Sequence, residues 1–289
     1  GRGLLTFHIS RFTVTHSALT CPSHPKSPMI NQIIPVVESA GRLIQDVALR
    51  GFAVEQKGSQ GPVTEADRES DELLKSELLA IESCGWLSEE TADDRSRLDL
   101  ERLWVVDPLD GTKEFVKRIP EYTVAVALVD AGRPVLGVVH NPATGDTCWA
   151  VKGAGAFKNR VRIHVADGAT LLASRSEVRR GEFRPFTHEW EVTAVGSIEY
   201  KLALIGSGRA SVTFSRGPKW EWDVCAGALI VEEAGGKVTD LFGGPLEFNQ
   251  PFPKVKGVLA GAPEAYERAR TQLGSVGASD RMGEFSEGM

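Results

Sequence analysis

Two aspartates, a glycine and a threonine crowd into Asp107-Pro108-Leu109-Asp110-Gly111-Thr112, directly behind the apolar run Trp104-Val105-Val106. Carboxylates this close repel one another unless a cation lies between them, and hard oxygen ligands suit Mg²⁺ or Mn²⁺. Leu103 to Val106 reads as a buried strand that Pro108 and Gly111 should end sharply, leaving Asp107 and Asp110 to project from its end. The residues after Gly111 can open a short helix whose free N–H groups face a phosphate. Taken alone, the same residues also read as an Asp-rich turn capped by its own side chains.

Three other segments carry matching chemistry: Pro62-Val63-Thr64-Glu65-Ala66-Asp67, Leu87-Ser88-Glu89-Glu90, and Trp220-Glu221-Trp222-Asp223-Val224-Cys225-Ala226-Gly227. With the central motif, and over about residues 33–265, they resemble the signature of the inositol monophosphatase superfamily of metal-dependent, lithium-sensitive phosphatases. Asp110-Gly111-Thr112-Lys113-Glu114-Phe115, continuing through Tyr122-Thr123-Val124 to Gly137-Val138-Val139, is more similar to the CysQ-type 3′(2′),5′-bisphosphate nucleotidases. In the inositol phosphatases Thr-Asn-Phe is the commoner continuation.

That resemblance implies a layered αβαβα sandwich of the inositol monophosphatase/fructose-1,6-bisphosphatase type, with the metal site between its halves. It assigns Glu89, Asp107, Asp110 and Asp223 as side-chain ligands, and Leu109 as a donor through its backbone carbonyl alone. Two or more Mg²⁺ ions held there, or Mn²⁺, would activate water on one side of phosphorus and stabilise the leaving oxygen on the other. Thr112 matches the hydroxyl that orients the attacking water, and Asp67 the carboxylate that accepts its hydrogen bond. With Glu89 they form the implied catalytic set. Glu90 reads equally as a supporting base or as a surface charge.

Substrate choice is assigned to the second half. Ser174-Arg175-Ser176 resembles the CysQ-type segment that meets the non-scissile phosphate, and Gly196-Ser197-Ile198-Glu199-Tyr200-Lys201 resembles its Gly-Ser-x-x-x-Lys companion. Gly111, Thr112, Arg175, Gly196, Ser197 and Lys201 are therefore the implied substrate contacts, with plain surface solvation as the alternative for the two cations. Arg216 precedes the last motif and is a further candidate cation, while Trp220 and Tyr200 read either as adenine-stacking surfaces or as packing. The usual Leu-Lys-Phe after Gly-Ser is replaced by Glu199-Tyr200-Lys201, and Pro218 is followed by Lys219-Trp220-Glu221; these departures bear on the nucleotide contacts and leave the metal motifs whole. The activity implied is Mg²⁺-dependent removal of the 3′-phosphate of adenosine 3′,5′-bisphosphate, giving AMP and phosphate in the recycling of a by-product of sulfate assimilation. Inositol 1-phosphate or another sugar phosphate is the alternative substrate, and a non-enzymatic metal- or phosphate-binding regulator is the alternative class.

These residues need a scaffold, and the rest of the chain supplies it. The helical spacing of Ile33, Val37, Ala40, Ile44 and Val47 predicts an amphipathic helix over about residues 31–50; Leu74, Leu78 and Ile81 predict a second over 66–81, with Asp67 in its first turn. There, a carboxylate also suits the helix dipole. Alternation from Thr123 to Val129, a turn at Ala131-Gly132-Arg133-Pro134 and a second run from Val135 to Val139 predict a hairpin, followed by a strand from Thr147 to Val151. A helix is expected from about Trp222 to Ala234, ended by Gly235-Gly236. The layout reads as an α+β metal-binding half over 29–160 and an α/β substrate-binding half over 161–273, flanked by an irregular extension (1–28) and a small, polar, fraying tail (274–289).

Composition narrows the partners. At 289 residues with 42 % hydrophobic content the chain can bury a sizeable core, and no apolar run approaches the ~20 residues of a membrane helix. A net charge of −6 argues against long nucleic acid while allowing a local basic pocket for a small phosphorylated substrate. A homodimer is among the assemblies this leaves open. Cys21, Cys84, Cys148 and Cys225 form no CxxC pair, which suits a reducing cytoplasm, and Cys225 reads as a packing residue.

Overall fold

The computed structural model describes residues 29–286 except 57, 59 and 60, with side chains described to residue 275; the expected N-terminal extension lies outside the described residues. Its helices are α1 (Ile30–Arg50), α2 (Glu65–Ile81), α3 (Thr112–Val116), α4 (Arg175–Arg179), α5 (Ile198–Gly206), α6 (Cys225–Glu233) and α7 (Pro263–Ser286). The backbone of α7 runs past Gly274 into the stretch whose composition suggests fraying. None of the helices is long and apolar enough to cross a membrane, among the described residues.

Strands Gly85–Ser88, Arg102–Asp110, Thr123–Asp130, Arg133–Asn141, Asp146–Val151, Gly155–Lys158 and Val161–Ile163 lie side by side in chain order. The first pair is parallel and the others are antiparallel, with a two-residue turn at Ala131-Gly132 joining the predicted hairpin. Because side chains alternate across a strand, each one serves two cores. Trp104, Val106, Val124, Val126 and Val138 pack beneath α1 and α2, while Leu103, Val105, Ala125, Ala127 and Val139 face α5 and α6.

A second, five-stranded sheet has the order Glu191–Ala194, Thr170–Ala173, Val212–Ser215, Val258–Gly261, Lys237–Thr239. Its inner residues Leu172, Val238, Val258 and Ala260 pack on α5 and α6; its outer residues Leu171, Val212, Phe214 and Leu259 meet Phe183, Phe186 and Trp190 and the α7 residues Ala265, Tyr266 and Ala269. The layers are therefore α1/α2, sheet, α5/α6, sheet, α7: an αβαβα sandwich. Helices α5 and α6 lie between two sheets, so α6 is buried from Cys225 through Val231 and shows no polar stripe. Their contact is close enough that a Cβ on Gly227 would sit 2.5 Å from Leu202 Cβ and 2.4 Å from Glu199 Oε2.

Candidate metal and phosphate site

The strand carrying the central motif does not end before the aspartates. It continues to Asp110 through a bulge: Asp107 pairs with Ala125 and Asp110 with Thr123, so three residue steps face two. Pro108, which has no N–H to give a ladder, sits inside this irregularity and corrects the expectation of a sharp stop. Asp107 Oδ1 accepts the Leu109 amide at 3.0 Å, and the Leu109 side chain fills the core at 1 % exposure.

Gly111 then turns the chain into α3 with φ 95°, where a Cβ would lie 2.8 Å from the Glu121 carbonyl oxygen and 3.2 Å from Ser197 Cβ. Left-handed backbone costs a non-glycine residue about 1–3 kcal/mol before that clash is counted. Gly111→Ala is therefore expected to lower the thermal midpoint by several degrees and shift the first turn of α3. An unchanged melt would mean that the turn relaxes without strain.

Glu89 follows the strand Gly85–Ser88, which lies parallel to the motif strand, and its amide meets the Val106 carbonyl at 3.4 Å. Asp223 approaches from the other half. The sequence expectation placed it inside a helix, but α6 begins at Cys225. The Asp223 carboxylate accepts the Trp220 amide at 2.9 Å, and the amides of Val224 and Cys225 both turn back to the Glu221 carbonyl, so Asp223 sits in a turn ahead of the helix. Glu199 Oε1 and Oε2 accept the amides of Ala226 and Gly227 at 3.1 and 2.6 Å, satisfying the first turn of α6 from α5.

Glu89, Asp107, Leu109, Asp110, Thr112 and Asp223 line one cavity of about 230 Å³. Burial, followed by the charges of Glu89, Asp110 and Asp223, pushes the Asp107 carboxyl well above the usual carboxylate range. Asp223 is pushed up to about 7 by burial and then by Asp110. Asp110 is raised by burial against hydrogen bonds from Ser197 Oγ (2.6 Å) and the Glu199 amide (2.7 Å). The charges of Lys201 and Lys219 offset this crowding only in part, and four carboxylates with one carbonyl form an all-oxygen donor set suited to a hard divalent cation. Among the described residues no three acidic, His or Cys side chains close tightly enough to cage an ion by themselves.

Asp67 arrives through helix-start chemistry. Its Oδ2 accepts both the amide and the hydroxyl of Thr64 at 2.7 Å, while Thr64 Oγ1 accepts the Ala66 amide at 3.2 Å, forming a capping box. This leaves Oδ1 for Thr112 Oγ1 at 2.9 Å; the Leu109 carbonyl lies 3.1 Å from the same hydroxyl. Burial raises Asp67 to about 6 against the bonds from Thr64 and Thr112, with nearby Glu90 adding to the rise.

Lys201 and Ser197 line the cavity together with Ser174 and Ser176, which the sequence reading places in the phosphate-meeting segment without singling them out beside Arg175, and with Lys219, which it notes only as a departure before Trp220. Lys201 is 2 % exposed, and burial lowers it to about 8. Ser197, at φ 55°, caps α5 by accepting the Tyr200 amide at 2.9 Å while its hydroxyl holds Asp110. Arg175 is not among the lining residues: its guanidinium pairs with both Glu121 carboxylate oxygens, one at 2.8 Å, and Glu114 lies 3.7 Å away. Gly196 also turns to Glu121, donating its amide at 2.6 Å. Of the two readings of Trp220 and Tyr200, packing is the one the geometry favours: neither lines the cavity, and Trp220 stacks on Trp222 at 4.8 Å, with Lys254 Nζ 3.8 Å above its ring.

A sequence model of the inositol monophosphatase family matches residues 26–277. The chain is 34 % identical over 223 residues to a fructose-1,6-bisphosphatase/inositol-1-monophosphatase of Thermotoga maritima, covering 73 % of this chain and 84 % of the relative. It is 32 % identical over 231 residues to the 3′(2′),5′-bisphosphate nucleotidase CysQ of Escherichia coli strain K12, covering 76 % and 94 %. The crystal structure of the extragenic suppressor protein suhB from Bartonella henselae superimposes with a TM-score of 0.75 at 28 % identity, covering 86 % of this chain and 98 % of that one. With the layered fold and the carboxylate-lined cavity, the chain belongs to the inositol monophosphatase family and is a metal-dependent phosphatase.

Proposed function

We propose that the chain is a Mg²⁺-dependent phosphomonoesterase whose preferred substrate carries a second phosphate, and that it removes the 3′-phosphate of adenosine 3′,5′-bisphosphate to give AMP. Lys201 carries this reading. It is a buried cation with no hydrogen-bonded or ion-paired partner for its ammonium among the described residues, and it lines the same cavity as Lys219, Ser174 and Ser176. Glu177, Asp110 and Glu114 favour its charge without forming an ion pair, and a ligand phosphate would supply a directly bonded anion.

Glu89, Asp107, Asp110, Asp223 and the Leu109 carbonyl would hold the Mg²⁺, which when bound supplies Lewis-acid stabilisation of phosphoryl and leaving-group oxygens. Thr112 orients the attacking water: with its single proton directed at Asp67, its oxygen lone pairs accept from the water. Asp67 is held for this role by Thr64. At the start of α3 the Glu114 and Phe115 amides already bond the Gly111 carbonyl, which leaves those of Thr112 and Lys113 as donors for phosphate oxygens.

One observation favours a smaller substrate such as inositol 1-phosphate. Arg175 is engaged by Glu121, and Glu177, buried and bonded by Ser174 and Ser215, places an opposing charge near Lys201. The readings separate in parallel assays of Mg²⁺-dependent phosphate release. For adenosine 3′,5′-bisphosphate, Lys201→Met is expected to lower kcat/KM by about 10- to 100-fold, the equivalent of a charged hydrogen bond of ~1.5–3 kcal/mol. Inositol 1-phosphate hydrolysis should change little. Because a lysine is cationic below its pKa, kcat/KM for the bisphosphate should also fall as pH rises through about 8. Equal losses on both substrates would reject the second-phosphate assignment.

A further inference from the structure

Helix α2 presents a second carboxylate one turn beyond Asp67. Asp71 is 6 % exposed, and its two oxygens take two hydroxyls: Ser88 Oγ donates to Oδ1 at 2.5 Å and Thr91 Oγ1 donates to Oδ2 at 2.6 Å. Those hydroxyls bracket Glu89-Glu90. Ser88 ends the strand before the pair, its oxygen accepts the Glu90 amide at 3.4 Å, and Thr91 follows the pair directly. Thr91 is also fixed from below by Trp86 Nε1 at 3.2 Å, and Trp86 lies under Lys75 of α2 at 5.8 Å. Asp67, Asp71 and Lys75, spaced four residues apart, share one helix face that reaches Thr112, then the Glu89 turn, then the strand leading into it.

We propose that Asp71 is a positioning residue that fixes the Glu89 carboxylate at the metal site by clamping the turn on both sides of it, so that α2 sets Glu89 and the Asp67–Thr112 pair in one register. The inference rests on the reading of Glu89 as a metal ligand. A carboxylate can accept both hydroxyls, whereas an amide of the same shape has one oxygen and must turn its NH₂ toward the other hydroxyl. Groups that orient a ligand in this way typically change metal affinity by about 10- to 100-fold when replaced.

Equilibrium Mn²⁺ binding to the purified full chain, read by electron paramagnetic resonance, tests this without relying on turnover. Asp71→Asn should weaken Mn²⁺ by about 10-fold or more. Thr91→Val, which removes one of the two hydroxyls at nearly constant volume, should weaken it in the same direction and carries the test if Asp71→Asn fails to fold. KM for substrate at saturating Mn²⁺ should stay near the unmodified value in both. Glu89→Gln is the reference. If it weakens Mn²⁺ while folded Asp71→Asn or Thr91→Val binds like the unmodified chain, with only the melting temperature lowered, Asp71 is a fold-stabilising residue and the proposal fails. If Glu89→Gln itself leaves Mn²⁺ binding intact, the metal reading of Glu89 fails and the proposal with it.

Discussion

Thr112→Ala is expected to lower kcat by about 10²- to 10⁴-fold, the range over which a positioned acid–base group acts, while Mn²⁺ affinity and substrate KM stay within a few-fold. The asymmetry follows from geometry. Thr112 donates its one hydroxyl proton to Asp67, with the Leu109 carbonyl 3.1 Å from the same oxygen, and neither contact is needed to hold Asp107, Asp110 or Asp223 in place. Thr112→Ser keeps the hydroxyl and should recover most of the rate, with a remaining deficit from the looser rotamer of an unbranched side chain. Single-turnover kinetics with saturating metal separates this from a binding defect. A variant with unchanged turnover would remove the Thr112–Asp67 pair from the mechanism, whereas parallel losses in kcat and metal affinity would make Thr112 a structural element of the metal site.

The parts of this arrangement visible in the sequence are those in which chemistry and local structure coincide. The two aspartates of the central motif are three residues apart on one strand, and Asp67 belongs to a helix start that its own side chain helps build. Helices α1 and α2 each bury one face, so their periodicity marks them. Helix α6 is buried all round, and its start is set by turns onto the Glu221 carbonyl that no hydrophobic pattern records. The fate of Arg175 was equally hidden: Glu121 lies 54 residues away in sequence, and only the packing of the two halves brings them together. A phosphate-binding arginine and an ion-paired one look alike in a linear motif. Lys219 gave no local signal beyond its charge, because what makes it relevant is its place on the cavity wall beside Lys201.

Asp223→Asn should separate stability from function. An amide that keeps accepting the Trp220 N–H with its oxygen must present its NH₂ where the second carboxylate oxygen was, so on the proposed ligand set divalent metal would lose a ligand and meet a donor in its place. Mn²⁺ affinity is expected to fall at least about 10-fold, as it does even for groups that only orient a ligand. The metal-free protein should move in the opposite direction. Asp223 is raised to about 7 in the folded chain, from an ordinary value of 3.8, by burial and by Asp110. The folded state therefore holds its proton more tightly than the unfolded state, and Asp223 makes metal-free stability fall as pH rises from about 4 to about 7. The neutral amide abolishes that contribution. In chelator, Asp223→Asn should melt close to the unmodified chain near pH 4 and above it at pH 8, by a margin on the order of a few kcal/mol. With saturating Mn²⁺ the order should reverse, because the unmodified chain gains binding energy that the variant has lost. A variant less stable than the unmodified protein in chelator at pH 8 would show that Asp223 supports the fold more than its charge strains it, and normal Mn²⁺ binding would take it out of the ligand set.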